Sequence, residues 1–367
     1  MENINKFRKF WNKKKVFITG HTGFKGSWLC IILGYLNSNI DGYALKPEKN
    51  SLFNKAQINK ILASNIYSDI NNITELKKKL KKSKPQIVFH LAAQPLVIES
   101  YKEPLKTFST NIIGTLNLLE SIREIKSIKS VVIITTDKVY KINKKNISYK
   151  EFDQLGGFDP YSASKVGSEI VVDSYIKSFF KNTFLQNKIS TARAGNVIGG
   201  GDFSKNRLLP DVIKAINNKK KLTIRNPNHI RPWQHVLDPL MGYLLLAEKQ
   251  YKNKINNFEH SWNFGPNKGN FKKVIDVVKY IKKKKDFDYR VKKNDKFKET
   301  RILKLNSFKA NNKLKWFSKW NLTETLDRTI EWNNLLTKDN SAKIVCEKQF
   351  LMHINSNNYK KKNKYEK

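Results

Sequence analysis

Cysteine is scarce in this chain, which has only two in 367 residues. Cys30 and Cys346 lie far apart and show no metal-ligand spacing, so a disulfide framework and a cysteine-held metal are excluded. No apolar run approaches the roughly 18 residues that a membrane-spanning helix requires. The polar and basic residues 1–15 lack the apolar stretch of a secretory signal. We therefore expect a soluble cytoplasmic protein that holds no metal.

Acidic residues are also few. The chain has 31 Asp and Glu against 71 Lys and Arg, which gives a net charge of +40. Such a charge is typical of nucleic-acid binding. The excess, however, is mostly lysine spread along the chain, and the sequence has no arginine-rich arm, zinc-ligand spacing or RNA-binding aromatic signature. We therefore expect no nucleic-acid partner, and a basic nucleic-acid-binding protein is the remote alternative.

The length and the hydrophobic content of 39% allow a large core, with two domains or one domain and an appendage. The first half alternates strand and helix patterns, which is typical of βαβ units. Strands are predicted at residues 15–19, 40–45, 87–91 and 131–135, and helices at residues 28–36, 110–125 and 162–180. This alternation predicts an α/β fold with a doubly wound parallel sheet of the Rossmann type.

Beyond about Arg193, clusters of glycine, proline and tryptophan interrupt the alternation and indicate a smaller C-terminal α/β lobe. We assign residues 1–192 to the Rossmann domain, with residues 236–265 returning to it. Residues 193–235 and 266–354 are assigned to a substrate-binding lobe. Residues 355–367 are rich in lysine and asparagine and are predicted to be disordered.

A glycine-rich turn, Gly20-x-x-Gly23-x-x-Gly26, follows the first strand and opens the first helix. Glycines in this place let backbone N–H groups approach a pyrophosphate at the helix N-terminus. The alternative is a turn that serves packing alone. The acid that usually binds ribose is missing after the second strand, where Lys46 leaves the choice between NAD and NADP open. Asp69 is a candidate for the adenine amino group, although it would serve equally as a residue of a helix N-terminal turn.

Four titratable side chains are expected at the carboxyl edge of the sheet, where open α/β sheets bind ligands. Asp137 and Lys138 follow the strand at 131–135, while Tyr161 and Lys165 lie one turn apart on the next helix. The Lys165 ammonium would lower the pKa of the Tyr161 phenol and hold a ribose hydroxyl, so that Tyr161 takes a proton from a substrate hydroxyl. The alternative for Asp137 and Lys138 is a strand-end salt bridge or a helix cap.

These motifs stand in the order that is typical of extended short-chain dehydrogenase/reductases, which are nucleotide-sugar enzymes with a bound NAD. The chain resembles this superfamily in the glycine turn, in residues 89–95 (FHLAAQP), in Ser109-Thr-Asn111, in Thr136-Asp-Lys138 and in Tyr161-x-x-x-Lys165. Longer segments resemble the CDP-glucose 4,6-dehydratase family, and the resemblance covers about residues 14–332. These segments are residues 20–28 (GHTGFKGSW), 193–202 (RAGNVIGGGD), 224–235 and 262–266 (WNFGP).

The resemblance implies an NAD-dependent hydro-lyase that converts CDP-D-glucose to CDP-4-dehydro-6-deoxy-D-glucose and water. Hydride leaves C4 for NAD while Tyr161 removes the O4 proton. A base then takes the C5 proton, an acid helps the C6 hydroxyl leave, and hydride returns to C6. Thymidine-linked relatives carry Asp-Glu at the position of Asp137-Lys138. We assign Lys138 as the base, Asp137 as the acid and Thr136 as the hydrogen-bond partner of O4, and leave open which of the two charged residues is the acid.

The resemblance also implies contacts for both small molecules. The NAD-binding residues would be Gly20, Thr22, Gly23, Phe24, Lys25, Gly26, Asp69, Ile70, Leu91, Ala92, Ala93, Gln94, Asn111, Tyr161 and Lys165. The substrate-binding residues would be Gln94, Arg193, Asn196, Arg207, Arg231 and His235. Among these, Arg193 and Arg231 match the oxygens of a diphosphate best, because guanidinium forks suit phosphate.

Further expectations rest on the same resemblance. It implies a homodimer through a helix bundle that contains the Tyr161–Lys165 helix, and a role in deoxysugar and lipopolysaccharide O-antigen biosynthesis. A 4-epimerase or decarboxylase acting on another nucleotide sugar is the alternative within the superfamily, although epimerases generally lack an acid and a base after the threonine. A catalytically idle homologue is disfavoured because Tyr161 and Lys165 are both present.

Overall fold

The computed structural model describes residues 2–142, 148–254, 260–292, 300–336 and 341–356. Most of the tail that the sequence predicts to be disordered, residues 357–367, lies outside the described residues. Within the described ranges, no helix combines the length and the apolar character that crossing a bilayer requires.

The central sheet has seven strands among the described residues, in the order β3, β2, β1, β4, β5, β6, β10, and all neighbours are parallel. The strands are β1 (Lys15–Thr19), β2 (Asn39–Ala44), β3 (Ser64–Tyr67), β4 (Ile87–His90), β5 (Ser130–Ile134), β6 (Ile189–Ala194) and β10 (Ser261–Phe264). The strand order reverses between β1 and β4, which creates a crevice at their carboxyl ends. The prediction of a doubly wound Rossmann-type sheet is confirmed.

The sheet lies between two layers of helices because its central strands are apolar on both faces. The helices of the whole chain are α1 (Glu2–Trp11), α2 (Phe24–Tyr35), α3 (Leu52–Lys55), α4 (Ile73–Ser83), α5 (Val97–Lys102), α6 (Pro104–Phe108), α7 (Gly114–Ile122), α8 (Pro160–Tyr175), α9 (Leu208–Asn217), α10 (Leu237–Tyr251), α11 (Val274–Lys282), α12 (Leu322–Leu335) and α13 (Ala342–Asn355). One face is covered by α1, α2, α10 and α13, and the other by α4, α7 and α8.

A smaller set of elements forms a second core beside the carboxyl edge of the sheet. Its strands are β7 (Asn196–Ile198), β8 (Leu222–Ile224), β9 (Ile230–His235), β11 (Phe271–Lys273) and β12 (Tyr289–Val291). In this core β9 pairs with β7 and β11, and β8 pairs with β12. Helices α9, α11 and α12 pack their apolar faces around these strands. This lobe closes one side of the crevice at the switch point.

Helices α10 and α13 are among those that the sequence patterns did not predict. The α10 helix is buried on nearly every side, so it has no polar stripe and does not show the pattern of an amphipathic helix. The α13 helix lies against α1 and α2, on the large domain, although the predicted boundaries would place it in the smaller lobe. The division of the chain into two domains remains a proposal.

Candidate functional site

The turn between β1 and α2 brings backbone very close to backbone. Gly20 has φ +73°, and a Cβ at this position would lie 2.5 Å from the Ala92 nitrogen. A Cβ on Gly26 would lie 2.2 Å from the Gly20 oxygen. Gly23 precedes the helix in extended conformation and caps it without a side chain, which leaves the first N–H groups of α2 directed at the crevice. The turn therefore fits the pyrophosphate of a dinucleotide, as the sequence predicts.

Four further residues predicted to bind the cofactor, Thr22, Phe24, Asp69 and Ile70, differ in how far they are exposed to solvent. The Thr22 hydroxyl donates to the Leu45 carbonyl (3.0 Å) beside β2, and Phe24 begins α2. Asp69 is exposed, and its carboxylate accepts from the Asn71 N–H (2.9 Å). Ile70 is buried against Gly114. Because the Asp69 carboxylate is exposed and accepts one local hydrogen bond, both roles considered for it, a residue of a turn and a contact of the adenine, stay open.

The segment after β4 carries the next group of candidates, Leu91, Ala92, Ala93 and Gln94. Ala92 N–H donates to the Thr19 hydroxyl (3.3 Å), which ties this segment to the end of β1. The Gln94 N–H donates to the Asn111 side chain (2.9 Å), and Asn111 donates to the Ser164 hydroxyl on α8 (2.8 Å). Asn111 lies in a π-helical turn, Ser109–Ile113, a distortion that is frequent at functional sites. The side-chain amides of Gln94 and Asn111 are therefore hydrogen-bonded to other protein groups, and they hold the segment after β4 against the π-helical turn and α8.

The Thr136–Lys138 segment stands at the end of β5, on the crevice. Thr136 caps a short 3₁₀ turn, and its hydroxyl donates to the Asp137 carboxylate (3.1 Å). The Lys138 ammonium lies 3.9 Å from the same carboxylate oxygen. Asp137 is buried, and its second oxygen, Oδ2, has no hydrogen-bond partner among the described residues. The ion pair expected as an alternative for Asp137 and Lys138 is present, whereas the cap is made by Thr136 and not by either of them, and the second oxygen of the Asp137 carboxylate has no partner among the described residues.

Tyr161 and Lys165 lie in the first two turns of α8, which begins with Asp159 in a capping box and proline at its first position. Burial raises the pKa of Tyr161 to about 12, against a hydrogen bond with Thr136 and the charge of Arg207, which lower it. Burial lowers the pKa of Lys165 to about 8. The Lys165 ammonium donates to the Ile134 carbonyl (3.1 Å), at the end of β5. The expected lowering of the Tyr161 pKa by Lys165 is not met, since Thr136 and Arg207 have that effect instead.

Lys25 belongs to the same electrostatic cluster. Its pKa is lowered to about 7, chiefly by burial and also by the positive charges of Arg207 and Lys165, while the charge of Asp137 opposes this. The lysine lines the crevice together with Asp137 and Tyr161. Lys25 therefore lies between the glycine turn and the edge of the sheet that carries Thr136, Asp137, Lys138 and Tyr161. We call this edge the catalytic edge, after the candidate catalytic residues on it.

A cleft runs from this edge into the smaller lobe, between β5, α8, β7, β8 and β9. Three of the predicted substrate residues line it: Asn196 on β7, Arg207 before α9 and Arg231 on β9. The Arg207 guanidinium donates to Asp202 (3.1 Å). Arg231 donates to the Ile230 carbonyl (3.1 Å) and contacts the His229 ring (2.9 Å). Arg225 and Asn206 also line the cleft and were not singled out from the sequence.

The other three predicted substrate residues, Gln94, Arg193 and His235, do not line the cleft. Arg193 is 2% exposed, and its guanidinium forms a two-pronged pair with the Glu169 carboxylate, with both distances 2.9 Å. His235 is fully buried and packs edge-on against Trp28 and Trp320. Both side chains point into packed protein because β6 and β9 are buried on both faces, so strand alternation does not reveal their direction.

The partner of Arg193 was missed in the sequence. Glu169 follows Lys165 by four residues on the same helix, so the run Tyr161, Lys165, Glu169 has the spacing of one helical face. That spacing is the signal that would have found it. In the described ranges no group of three or more His, Cys, Asp or Glu side chains is placed to hold a metal ion.

Comparison with known proteins shows the family to which this chain belongs. The model of the GDP-mannose 4,6 dehydratase family matches residues 17–329, which includes the sheet, the catalytic edge and most of the smaller lobe. The chain belongs to this family. A relative in Salmonella typhimurium, a CDP-glucose 4,6-dehydratase, is 41% identical over 93% of this chain and 96% of its own length. The dTDP-D-glucose 4,6-dehydratase of Dictyostelium discoideum is 31% identical and matches 64% of this chain and 56% of its own.

Solved structures of the same fold include dehydratases and epimerases. The dTDP-glucose 4,6-dehydratase of Bacillus anthracis, solved with NAD, has a TM-score of 0.74 at 23% identity and covers 88% of this chain and 96% of its own. The UDP-glucuronic acid 4-epimerase of Bacillus cereus has a TM-score of 0.76 at 23% identity and covers 88% of this chain and 99% of its own. This family member therefore shares the fold of both enzyme classes, and the fold alone does not separate them.

Arg193 and Arg207, which were both predicted to bind substrate, differ in a way that stability measurements can test. Replacing Arg193 with Met leaves the buried Glu169 carboxylate unpaired, so we expect a loss of about 3 kcal/mol or more in the free energy of unfolding. Replacing Arg207 with Met breaks a partly exposed pair with Asp202, and we expect a loss of less than about 1 kcal/mol. Denaturant unfolding of both variants at pH 7 measures this difference. Equal losses would contradict the burial and pairing described for Arg193.

Proposed function

We propose that this protein is a CDP-glucose 4,6-dehydratase, a hydro-lyase that uses NAD and releases CDP-4-dehydro-6-deoxy-D-glucose and water. The observation that carries the proposal is the convergence of Thr136, Asp137, Lys138 and Tyr161 on one cleft. A nucleotide-sugar oxidation needs a base at O4, and an elimination needs an acid and a base at neighbouring carbons. The relative with 41% identity is named for this activity.

NAD would be held by the turn from Gly20 to Gly26 at the N-terminus of α2, and it supplies reversible acceptance of hydride from the sugar. The close approach of this turn to the Ala92 backbone leaves space for a pyrophosphate but not for a side chain at Gly20. Lys25 and Lys165 add positive charge beside the turn. These contacts favour an anionic cofactor at this end of the crevice.

Tyr161 would remove the O4 proton of the sugar. Its burial opposes the phenolate form, and the Thr136 hydrogen bond and the Arg207 charge favour it. The same Thr136 hydroxyl lies beside the substrate side of the cleft, where it would hydrogen-bond O4. A water-excluded site of this kind strengthens each of these interactions.

Asp137 and Lys138 would carry out the elimination. Asp137, whose Oδ2 has no hydrogen-bond partner among the described residues, would donate a proton to the C6 hydroxyl, which leaves as water. Lys138, half-buried beside it, would take the C5 proton in its neutral amine form. The roles of acid and base in this pair are the part of the proposal that rests on the family resemblance.

Arg207 and Arg231 would bind the diphosphate of the substrate, with Asn196 beside them. Both arginines line the cleft between the catalytic edge and the smaller lobe, so a nucleotide in that lobe would place its sugar at Tyr161. Guanidinium groups bind phosphate oxygens through two parallel hydrogen bonds. Arg193 is not part of this set.

The proposed function is tested by incubation with CDP-glucose and, separately, with dTDP-glucose. We expect the cytidine substrate to yield a 4-keto sugar, detected by its ultraviolet absorbance in base, together with one water per sugar. A 4-epimerase would instead yield CDP-galactose without water loss, which chromatography of the products distinguishes. Preferential turnover of dTDP-glucose would overturn the choice of nucleotide.

The role of Lys138 is tested by Lys138→Met. Without the amine at C5, we expect formation of the 6-deoxy product to fall by about a hundredfold or more, since general base catalysis contributes on that scale. Oxidation at C4 should still occur, because Tyr161 is unchanged, so deuterium from C4 of labelled CDP-glucose should be found on the enzyme-bound nicotinamide, which does not exchange carbon-bound hydride with water. The exposed Lys141→Met just outside the cleft is the matched control and should retain activity. Unimpaired dehydration by Lys138→Met would assign the base elsewhere.

We also propose a homodimer through the outward side of α8 and the adjoining α6. Apolar side chains are exposed along these elements: Leu105 (85%), Ile113 (46%), Ile170 (59%) and Phe179 (43%). Helix α6 and the π-helical turn after it pack against α8, so the exposed groups lie on neighbouring elements. Exposed apolar surface of this kind is typical of subunit interfaces. The cytoplasmic location and the role in deoxysugar and O-antigen biosynthesis stay predictions.

A pair of substitutions tests this interface. Ile170→Glu places a charge at the centre of the proposed contact, and we expect it to convert the dimer into a monomer in sedimentation experiments. Ile344→Glu, at a half-exposed position of α13 on the other face of the sheet, is the control and should leave the dimer intact. A wild-type protein that sediments as a monomer would contradict the proposal.

A further inference from the structure

A buried ion pair lies directly beneath the catalytic edge. The Glu169 carboxylate accepts hydrogen bonds from the Thr135 hydroxyl (2.5 Å) at the end of β5 and from the Thr191 hydroxyl (2.7 Å) on β6. The Arg193 guanidinium binds both of its oxygens. Burying two charges is costly unless their hydrogen bonds are satisfied, and here the carboxylate is fully surrounded by donors. The pair therefore joins α8 rigidly to two neighbouring strands.

The arginine extends this connection away from the cleft. Its Nη1 donates to the Tyr140 hydroxyl (2.9 Å) and to the Glu151 carbonyl (2.9 Å). Tyr140 in turn donates to the Asn263 side chain on β10 (2.7 Å). Tyr140 follows the Asp137–Val139 turn, so the catalytic segment is anchored on both sides, through Thr135 before it and Tyr140 after it.

Glu169 also lies one helical turn from Lys165. Its charge raises the pKa of Lys165, against the lowering by burial. The other groups that face Lys165 are Lys25 from α2 and His90 at the end of β4. Lys25, when protonated, disfavours the ammonium form of Lys165. Burial lowers the pKa of His90 to about 3, so its imidazole is neutral and adds no charge. Glu169 is thus the group in this set that favours the ammonium form of Lys165.

We propose that Glu169, clamped by Arg193, is a positioning residue of the dehydration reaction, because it fixes Thr136–Lys138 against the helix that carries Tyr161 and Lys165. This inference rests on the proposed function, because its kinetic test measures turnover of CDP-glucose. Glu169 touches neither the cleft nor the reacting atoms; it acts through Thr135 and through Lys165. Displacement of the catalytic segment by a fraction of an ångström would reduce the rate of the chemical steps more than substrate binding.

Two matched substitutions test the positioning. Thr135→Val and Thr191→Val each remove one buried hydroxyl that donates to the same carboxylate, but only Thr135 adjoins the catalytic segment. We expect Thr135→Val to lower kcat for CDP-glucose by about tenfold or more with little change in KM, and Thr191→Val to stay within about threefold of wild type. Thr135→Ser, which keeps the hydroxyl, should restore kcat. Equal losses in the two valine variants, or no loss in Thr135→Val, would overturn the proposal.

The charge of Glu169 is tested separately by Glu169→Gln/Arg193→Gln, which removes both charges and avoids leaving an unpaired buried ion. Loss of the anion lowers the pKa of Lys165, so the alkaline limb of the kcat profile should move to lower pH by about half a pH unit or more. An unchanged limb in the folded double variant would contradict the proposal.

A second readout does not depend on turnover. The Lys165 side-chain amine is followed by NMR of lysine-labelled protein without substrate, and its signal is identified by its absence from Lys165→Met. We expect its titration to move to lower pH in the double variant. If wild-type protein fails to dehydrate CDP-glucose, the proposed function is wrong, while this titration still decides the coupling between Glu169 and Lys165. An unshifted titration overturns that coupling even if the enzyme is active.

Discussion

The parallel register of the central strands is the constraint on which the site depends. Thr19 is paired with His90, His90 with Ile133, and Ile133 with Thr191, so β1 and β4 end level with each other, β5 ends one residue later and β6 ends three residues later. The residues that follow each strand are therefore brought together although they are up to about 170 positions apart in the chain. The glycine turn, the Leu91–Gln94 segment and Thr136–Lys138 all lie at this edge. A shift of one strand by a single residue would turn its side chains to the other face and remove them from the crevice.

Burial then decides the electrostatics of this edge. Lys165 is buried and Lys25 is partly buried, and desolvation lowers the pKa of both amines. The carboxylates of Asp137 and Glu169 oppose that effect, the first at Lys25 and the second at Lys165. The two amines are thus poised between charged and neutral forms near physiological pH. A low-dielectric environment amplifies such interactions, so the arrangement is sensitive to every charge that enters or leaves the cleft, including a diphosphate.

Local sequence patterns predicted a large part of this arrangement. The strand at 131–135, the helix at 162–180 and the glycine turn each have a signal contained in the local sequence, and the structure has them as β5, α8 and the β1–α2 turn. Predicting the convergence of Asp137, Lys138 and Tyr161 required only the rule that parallel strands open at one edge. The bounds differ by a few residues, because strand and helix ends depend on hydrogen bonds that the pattern does not contain.

The parts that could not be predicted depend on contacts between distant residues. Helix α10 lacks a polar face because the sheet, α2 and the turn at Ala310–Leu314 all pack against it, and these contacts are set by the whole fold. The pKa of Tyr161 depends on Arg207, which comes from the other lobe. A motif that resembles a known family shows which residue types are present. It does not show toward which face of a buried strand their side chains point.

Arg193 and Arg207 show how that difference changes the chemistry. A guanidinium that already binds a carboxylate with two hydrogen bonds has used the fork that a phosphate would need. Moving Arg193 to a diphosphate would leave Glu169 as an uncompensated buried charge, at a cost of about 3 kcal/mol or more. The high positive charge of the chain does not substitute for it, since exposed lysines more than about 8–10 Å away are screened by salt. The proposed recognition of a diphosphate is therefore assigned to arginines that line the cleft, Arg207 and Arg231.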